Sequence, residues 1–369
     1  MSFYQTYQKY QNFDSEAFLS RLTNDDIKRA LQARRLSSSQ FLSLLSPKAE
    51  GFLENMAQRA HQTTLQHFGK TIQLYTPLYL SNYCENECVY CGFNCNNKIA
   101  RKKLSLDELR KEAAFIASQG LRHILILTGG SRAHSPLSYI KDCLKVLREY
   151  FSSISIEIYA LREEEYKELI DEGVDGLTLY QEVYDRAAYE QVHLKGPKTD
   201  YEFRLDAPER AARQKMRSVN IGVLLGLEPW RKEVFLLGLH ARYLQDKFFD
   251  ADIGISLPRL RPMGSDFQPA CIVKDSHIVQ IILALRIFLP RLGIALSTRE
   301  SAQLRENLLG LGVTRMSAGS TTEVGGHTAQ EKDSHLPQFE INDTRNVVEI
   351  KQWLLSKGYQ PVLKDWMPV

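Results

Sequence analysis

An α/β architecture is the fold this sequence predicts: a (β/α)8 barrel of the TIM type, preceded by a helical extension and followed by an irregular segment. Three observations carry it. From about residue 70 onward, strand-like runs alternate with amphipathic helical runs, which implies a parallel sheet. The strand-like runs number eight, which favours a closed barrel over an open doubly wound sheet, the competing topology. Polar residues gather where those runs end, on the face where barrels carry their chemistry.

Residues 1 to about 70 contain few strand-like runs and read as a helical extension. The first strand is "TIQLYTPLYL" (71–80), which leads into the loop "LSNYCENECVYCGF" (80–93). A helix then starts at Ser105, with Glu108 at capping-box spacing, carries Leu109, Ala113 and Ile116 on one stripe, and stops at Gly120. Strands follow at "RHILILTGG" (122–130), "SISIEIYAL" (153–161), "DGLTLYQEV" (175–183), "VNIGVLLGLE" (219–228), "ADIGISLPRL" (251–260), "GIALSTRE" (293–300) and "VTRMSAGS" (313–320). Helical runs separate them, among them Ile140, Leu144, Leu147 and Phe151 at helical spacing, and "HIVQIILALRIFL" (277–289). The barrel is expected over 71–320. A C-terminal extension over 321–369 then holds an irregular polar stretch (321–343), a helix (344–357) ended by Gly358, and the tail "YQPVLKDWMPV".

The chain has 369 residues, 43% hydrophobic and 25% charged, which is ordinary for a globular protein with a large core. A formal net charge of +3 argues against nucleic acid as the main partner. No apolar run approaches the ~18 residues that span a bilayer, and the N-terminus has no secretory h-region, so a cytoplasmic protein without a membrane partner is expected. Six cysteines in such a chain read as thiols or metal ligands rather than as a disulfide framework.

Three of those cysteines, Cys84, Cys88 and Cys91, crowd into one loop at C-x3-C-x2-C spacing. Structural zinc wants four ligands in paired motifs, and only nearby Cys95 offers a fourth, since Cys143 and Cys271 are isolated. A 4Fe–4S cubane held by three thiolates uses the set as it stands and leaves one iron open to a small molecule. A fully ligated electron carrier would not need 300 residues of βα repeats.

That spacing, with the aromatic Tyr90 before the last cysteine and a strand leading in, resembles the motif of the radical S-adenosylmethionine (SAM) superfamily. The resemblance implies that the open iron chelates the amino and carboxylate groups of SAM. It further implies that Thr128-Gly129-Gly130 meets SAM's amino group through backbone, that the Gly222–Glu228 stretch, with Gly226 and Glu228, lies along the adenine, and that Glu157 and Glu182 make polar contacts to SAM. Arg204 and Arg210 are open between a contact to SAM's carboxylate and a helix cap.

Longer stretches, including "YQEVYDRAAYEQVHLKGPKTDYEFRLDAPERA", "SLPRLRPMGS" and "MSAGSTTEVGGH", resemble the aromatic-amino-acid lyase branch, specifically the tyrosine lyases of thiamine biosynthesis. The half from about residue 250 resembles the domain shared by biotin and thiamine synthesis enzymes. What this implies is Cα–Cβ cleavage of L-tyrosine to 4-cresol and 2-iminoacetate, handover of the imine to a thiazole synthase, and a flavodoxin- or ferredoxin-type electron donor. The alternatives are a tryptophan lyase, a hydrogenase-maturation lyase or a non-catalytic cluster-binding protein. The absence of cysteines after Cys271 disfavours the hydrogenase-maturation type, which places a second cluster near its C-terminus. A substrate carboxylate calls for a planar bidentate partner, for which Arg299 and Arg315, with Ser317 and Ser320 beside them, are the candidates. His193, His240 and His327 are expected to be surface or structural residues.

Overall fold

A computed structural model describes residues 2–261, 267–329 and 338–364. Residues 330–337 of the stretch expected to be irregular, and the last five of the tail, lie outside the described residues. The strands are β1 (Thr71–Tyr75), β2 (Pro77–Ser81), β3 (Glu87–Cys88), β4 (His123–Thr128), β5 (Ser153–Glu157), β6 (Gly176–Glu182), β7 (His193–Lys195), β8 (Ser218–Val223), β9 (Asp252–Ser256), β10 (Gly293–Leu296), β11 (Arg315–Ser317) and β12 (Gln360–Val362). All but β3 and β7, which form a small antiparallel pair, belong to one parallel sheet ordered β12-β1-β11-β10-β9-β8-β6-β5-β4-β2.

The two ends of that sheet belong to one stretch of chain, and this closes the barrel. β1 pairs with β11, and β2, one residue further on, pairs with β4. The expected single strand over 71–80 is therefore two, broken at Thr76, whose carbonyl accepts from Leu125 N and whose hydroxyl donates to Gly319 O. The step has a cause at the barrel's lower rim. There β12 pairs with the start of β1, and Leu363 O accepts from Arg122 N just before β4, so β12 separates the two strands until Thr76. The tail showed no sign of this strand, because it is three residues long and contains Pro361.

All eight expected strands are present, and several were expected to run too far at their C-terminal ends. Ile158 and Leu161, or Leu224, Leu225 and Leu227, continue the apolar pattern but are buried outside the strands proper. The helix Leu106–Ser118 is capped reciprocally by Ser105 and Glu108, as expected. Five α-helices and one 3-10 turn make up the N-terminal extension and pack on the barrel's outer helices. Phe41 stacks on Phe288 at 4.2 Å, Phe3 stacks on His240 at 4.0 Å, and Gln280 donates to the carbonyls of Leu44 and Ser46.

Strand periodicity then decides what faces the axis. Ile154, Ile156, Leu177, Leu179, Val219, Ile221, Ile253 and Ile255 are buried, while their neighbours Ser155, Thr178, Asn220 and Ser256 line space inside the barrel. Barrel interiors are commonly filled by branched aliphatic side chains. Small polar ones here leave room, and that room widens toward the C-terminal ends of the strands.

Candidate active site

The cysteine loop leaves β2 and is held against the end of β4 by close backbone approach. Gly129 N donates to Ser81 O, and Glu85 N donates to Gly130 O. A Cβ on Gly129 would sit 2.3 Å from Tyr83 O, so this glycine is a steric requirement of the junction, and one on Gly130 would sit 2.3 Å from Asn86 Nδ2 and displace that side chain. Gly130 N and Asn86 Nδ2 point at Cys84 Sγ from 3.4 and 3.5 Å. Arg101 ties the loop's ends together by donating to the carbonyls of Asn82 (2.7 Å), Phe93 (3.0 Å) and Asn94 (2.6 Å). Burial pushes the Cys88 thiol up to about 12 and raises that of Cys91, so a metal must displace protons to bind here.

Cys84, Cys88 and Cys91 line a cavity of about 1110 Å³ together with Thr128, Gly129, Gly130, Glu157, Tyr180, Glu182, Lys198 and Arg204. Thr128 Oγ1 is buried on its wall without a hydrogen-bond partner. Glu182, at φ 73°, takes Lys198 Nζ at 2.6 Å and Arg204 Nη2 at 3.6 Å, while Arg204 Nε donates to Tyr180 O at 2.8 Å. Burial, with neighbouring Glu182 adding to it, raises the Glu157 carboxyl to about 7 against the pull of Arg299, Arg204 and Lys198.

A second cavity, of about 660 Å³, shares Tyr79, Leu127, Glu157, Tyr180 and Gln338 with the first. Its other walls include Tyr75, Leu125, Ser256, Ala295, Arg299, Ser317, Ser320 and Phe339. Tyr180 can cross the barrel here because Gly222 has no side chain: a Cβ there would lie 2.6 Å from its ring. Ser317 Oγ accepts from Thr298 N at 2.9 Å, and Ser320 Oγ is buried without a partner. Arg299 is half-buried, and among the described residues it has no carboxylate at ion-pair distance.

Other expected residues stand elsewhere. Arg315 opens β11 at the opposite end of the barrel, paired with Asp252 and 3.5 Å from Ser218 Oγ. Its expected place beside a substrate is corrected, because its guanidinium reaches down to Asp252 and Ser218, the first residues of β9 and β8. Gly226 and Glu228 lie outside the lining of both cavities. β8 ends at Val223, Leu225 bridges to Arg259, and the Glu228 carbonyl accepts from Cys271 Sγ. Tyr90 does not line the cavity either. Its hydroxyl meets His193 Nε2 at 2.7 Å and accepts from Lys198 Nζ at 2.9 Å, so it acts on the site through Lys198. Arg210 donates to the carbonyls of Leu161 and Phe203 and is structural. His193 and His240 are buried, and His327 is tied to Pro77 O, so none is a surface residue. Cys95 Sγ faces Asn96 and lies outside the lining.

Sequence reasoning gave no role to Asn86, Arg101, Tyr79, Tyr180, Lys198, Gln338 or Phe339. Lys198 lies within a stretch that carried the family likeness, and that was the available signal. Phe339 lay in a stretch read as irregular.

Comparison with known proteins now bears on this arrangement. The profile of the Radical SAM superfamily matches residues 78–237, and that of the Biotin and Thiamin Synthesis associated domain matches 256–360. The 2-iminoacetate synthase of Escherichia coli (strain K12) is 40% identical over 347 residues, 93% of this chain and 91% of the relative. The chain belongs to the 2-iminoacetate synthase family of radical SAM enzymes. The Salmonella typhimurium 2-iminoacetate synthase is 39% identical over 345 residues, with the same coverage. Among solved structures, the FeFe-hydrogenase maturase HydG from Carboxydothermus hydrogenoformans superposes with a TM-score of 0.84 at 32% identity, over 97% of this chain and 82% of HydG. Methylornithine synthase (PylB), with a TM-score of 0.74 and 20% identity over 91% of this chain and 97% of PylB, shares the fold.

Enzymes of this family use a 4Fe–4S cluster and SAM, and the residues present fit both. Soft thiol donors stand at the cavity rim, and the orphaned Thr128 hydroxyl and the Glu157 carboxyl line its wall. Among the described residues no three His, Cys, Asp or Glu side chains converge as a single metal ion needs. A cubane spreads its ligands over separate iron corners and does not need that convergence. Among the described residues no helix is long and apolar enough to cross a membrane.

Proposed function

We infer that this chain is a radical SAM carbon–carbon lyase that cleaves L-tyrosine between Cα and Cβ, giving 4-cresol and 2-iminoacetate, for the thiazole branch of thiamine biosynthesis. Cys84, Cys88 and Cys91 hold the cluster, and Thr128, Gly129, Gly130, Glu157, Glu182 and Arg204 surround SAM. When bound, the pair supplies hydrogen-atom abstraction, with SAM ending as 5′-deoxyadenosine and methionine. The conversion takes up two electrons, delivered by a flavodoxin- or ferredoxin-type donor, and one proton from water.

The observation that carries the substrate side is the junction of the two cavities. The cofactor cavity opens through Glu157, Tyr79 and Tyr180 into a pocket with a half-buried arginine at its rim, unpaired among the described residues, and aromatic and aliphatic walls below. Arg299 offers a planar fork to the amino-acid carboxylate. Ser317 and Ser320 stand beside it, and Tyr75, Leu125 and Ala295 receive the ring. Holding the amino acid there fixes its nitrogen toward the cofactor cavity and keeps water from the reacting bond. Burial raises the Glu157 carboxyl to about 7, which weakens its repulsion of the substrate carboxylate.

A thiazole synthase is the expected recipient of the product, because a free imine hydrolyses in water, and the cytoplasm is the expected compartment. The test is anaerobic reconstitution with iron and sulfide, followed by SAM, reductant and L-tyrosine. Equal amounts of 4-cresol and 5′-deoxyadenosine are expected. 5′-Deoxyadenosine without 4-cresol, or preferred turnover of L-tryptophan assayed alongside, overturns the assignment.

A further inference from the structure

The stretch from Gln338 to Asp343 is laid across the barrel mouth by contacts to strand ends far away in sequence. Gln338 Oε1 accepts from Tyr79 OH at 2.5 Å, where the two cavities meet. Asn342 N donates to Thr298 O at 2.9 Å, and its side-chain amide donates to Arg299 O at 2.8 Å. Asp343 N also donates to Thr298 O, and the Asp343 carboxylate is gripped by the fully buried Arg305 and by Arg345. Arg305 in turn donates to Ser317 O, so one buried cation ties this stretch to the strand end that carries the site's serine.

Between these anchors lies Phe339. The guanidinium carbon of Arg299 sits 3.5 Å from the centre of its ring, at contact distance. A guanidinium on an aromatic face is attracted by the ring's negative quadrupole, and its donors then spread in the guanidinium plane. The long Arg299 side chain loses its freedom to swing, while its fork stays open to a planar anion.

Resting on the tyrosine lyase reading and on Arg299 as the carboxylate partner, we propose that Phe339 is a positioning residue for the substrate carboxylate, acting through Arg299. Its place depends on the Asp343–Arg305 anchor. The chain thus completes its amino-acid site with a segment some forty residues beyond the arginine.

The test compares reconstituted full-length Phe339→Leu, Phe339→Tyr, Arg299→Gln and the Phe339→Leu/Arg299→Gln double variant with the unmodified protein. Two quantities are read: kcat and KM for tyrosine from 4-cresol release, and the dissociation constant of labelled L-tyrosine by equilibrium dialysis against SAM-loaded protein. Phe339→Leu is expected to raise KM and the dissociation constant about tenfold with kcat changed less than about twofold, and Phe339→Tyr to restore both. In the Arg299→Gln background the same change is expected to add nothing further. Phe339→Met, which fills the space without a ring, reads the same quantities should Phe339→Leu lose iron. Unchanged tyrosine affinity, or an equal loss with and without the arginine, overturns the proposal. If the unmodified protein forms no 4-cresol, the lyase reading has failed, and the dialysis result still reports whether Phe339 acts through Arg299 on amino-acid binding.

Discussion

Arg299 follows β10 and Arg315 opens the neighbouring β11, yet they meet opposite surroundings. Arg315, at the lower rim, has Asp252 as its partner, and close by Arg217 pairs with Asp175, which also accepts from Ser153 Oγ. Arg299, at the upper rim, is half-buried, has no carboxylate at ion-pair distance among the described residues, and rests on an aromatic ring; in the same cavity system the hydroxyls of Thr128 and Ser320 lack partners among those residues. Buried polar groups in proteins are ordinarily satisfied. At the lower end the charged side chains are paired and serve stability, while Asn220 Oδ1 stands without a partner among the described residues. The upper end departs from that rule in one connected cavity system, where the missing partners are those a cofactor and an amino acid supply.

The contrast is easiest to break at the cluster. Replacing Cys84, Cys88 or Cys91 by Ala is expected to abolish both the cluster's visible absorption and 5′-deoxyadenosine formation, while Cys95→Ala keeps both. Loss of iron in Cys95→Ala measured by metal analysis would instead point to a four-cysteine site. Next in size, Arg299→Gln should lower kcat/KM for tyrosine about 100-fold, since a charge-assisted bidentate contact is lost, with the melting temperature nearly unchanged. Arg315→Gln should show the reverse. Its ion pair is partly exposed, so about 1 kcal/mol of stability is expected to go, read by urea unfolding, with KM unmoved.

The smallest effect concerns Glu157. Burial holds its folded pKa near 7, above the ordinary 4.5, so the folded state keeps a proton that the unfolded chain has released between those values. Its contribution to stability therefore falls as pH rises through that window and levels off above it. In protein without SAM, Glu157→Gln should gain melting temperature relative to the parent as pH goes from about 5 to about 8. A gain that is the same at both ends would show that Glu157 is ionised throughout.

These outcomes also mark what the sequence could and could not show. Ligand spacing is local, so the cysteine loop was legible, and period-two burial made the eight strands and the side of the barrel carrying the chemistry legible as well. The height of a residue along a strand was not. Arg315 reaches down to Asp252 and Ser218 while Ser317 lines the upper cavity, and no propensity fixes that. Glu228 followed a family pattern, but it lies outside the lining of both cavities. Phe339 and β12 depend on contacts with residues forty and almost three hundred positions away, which only the closed barrel brings together.

The most direct test of the contrast is electron paramagnetic resonance of the reduced, reconstituted protein with and without SAM. A cluster held by three thiolates at the open rim predicts that SAM reshapes the signal in both the parent and Cys95→Ala. A signal that SAM leaves unchanged would show an iron set already filled by side chains and contradict the account.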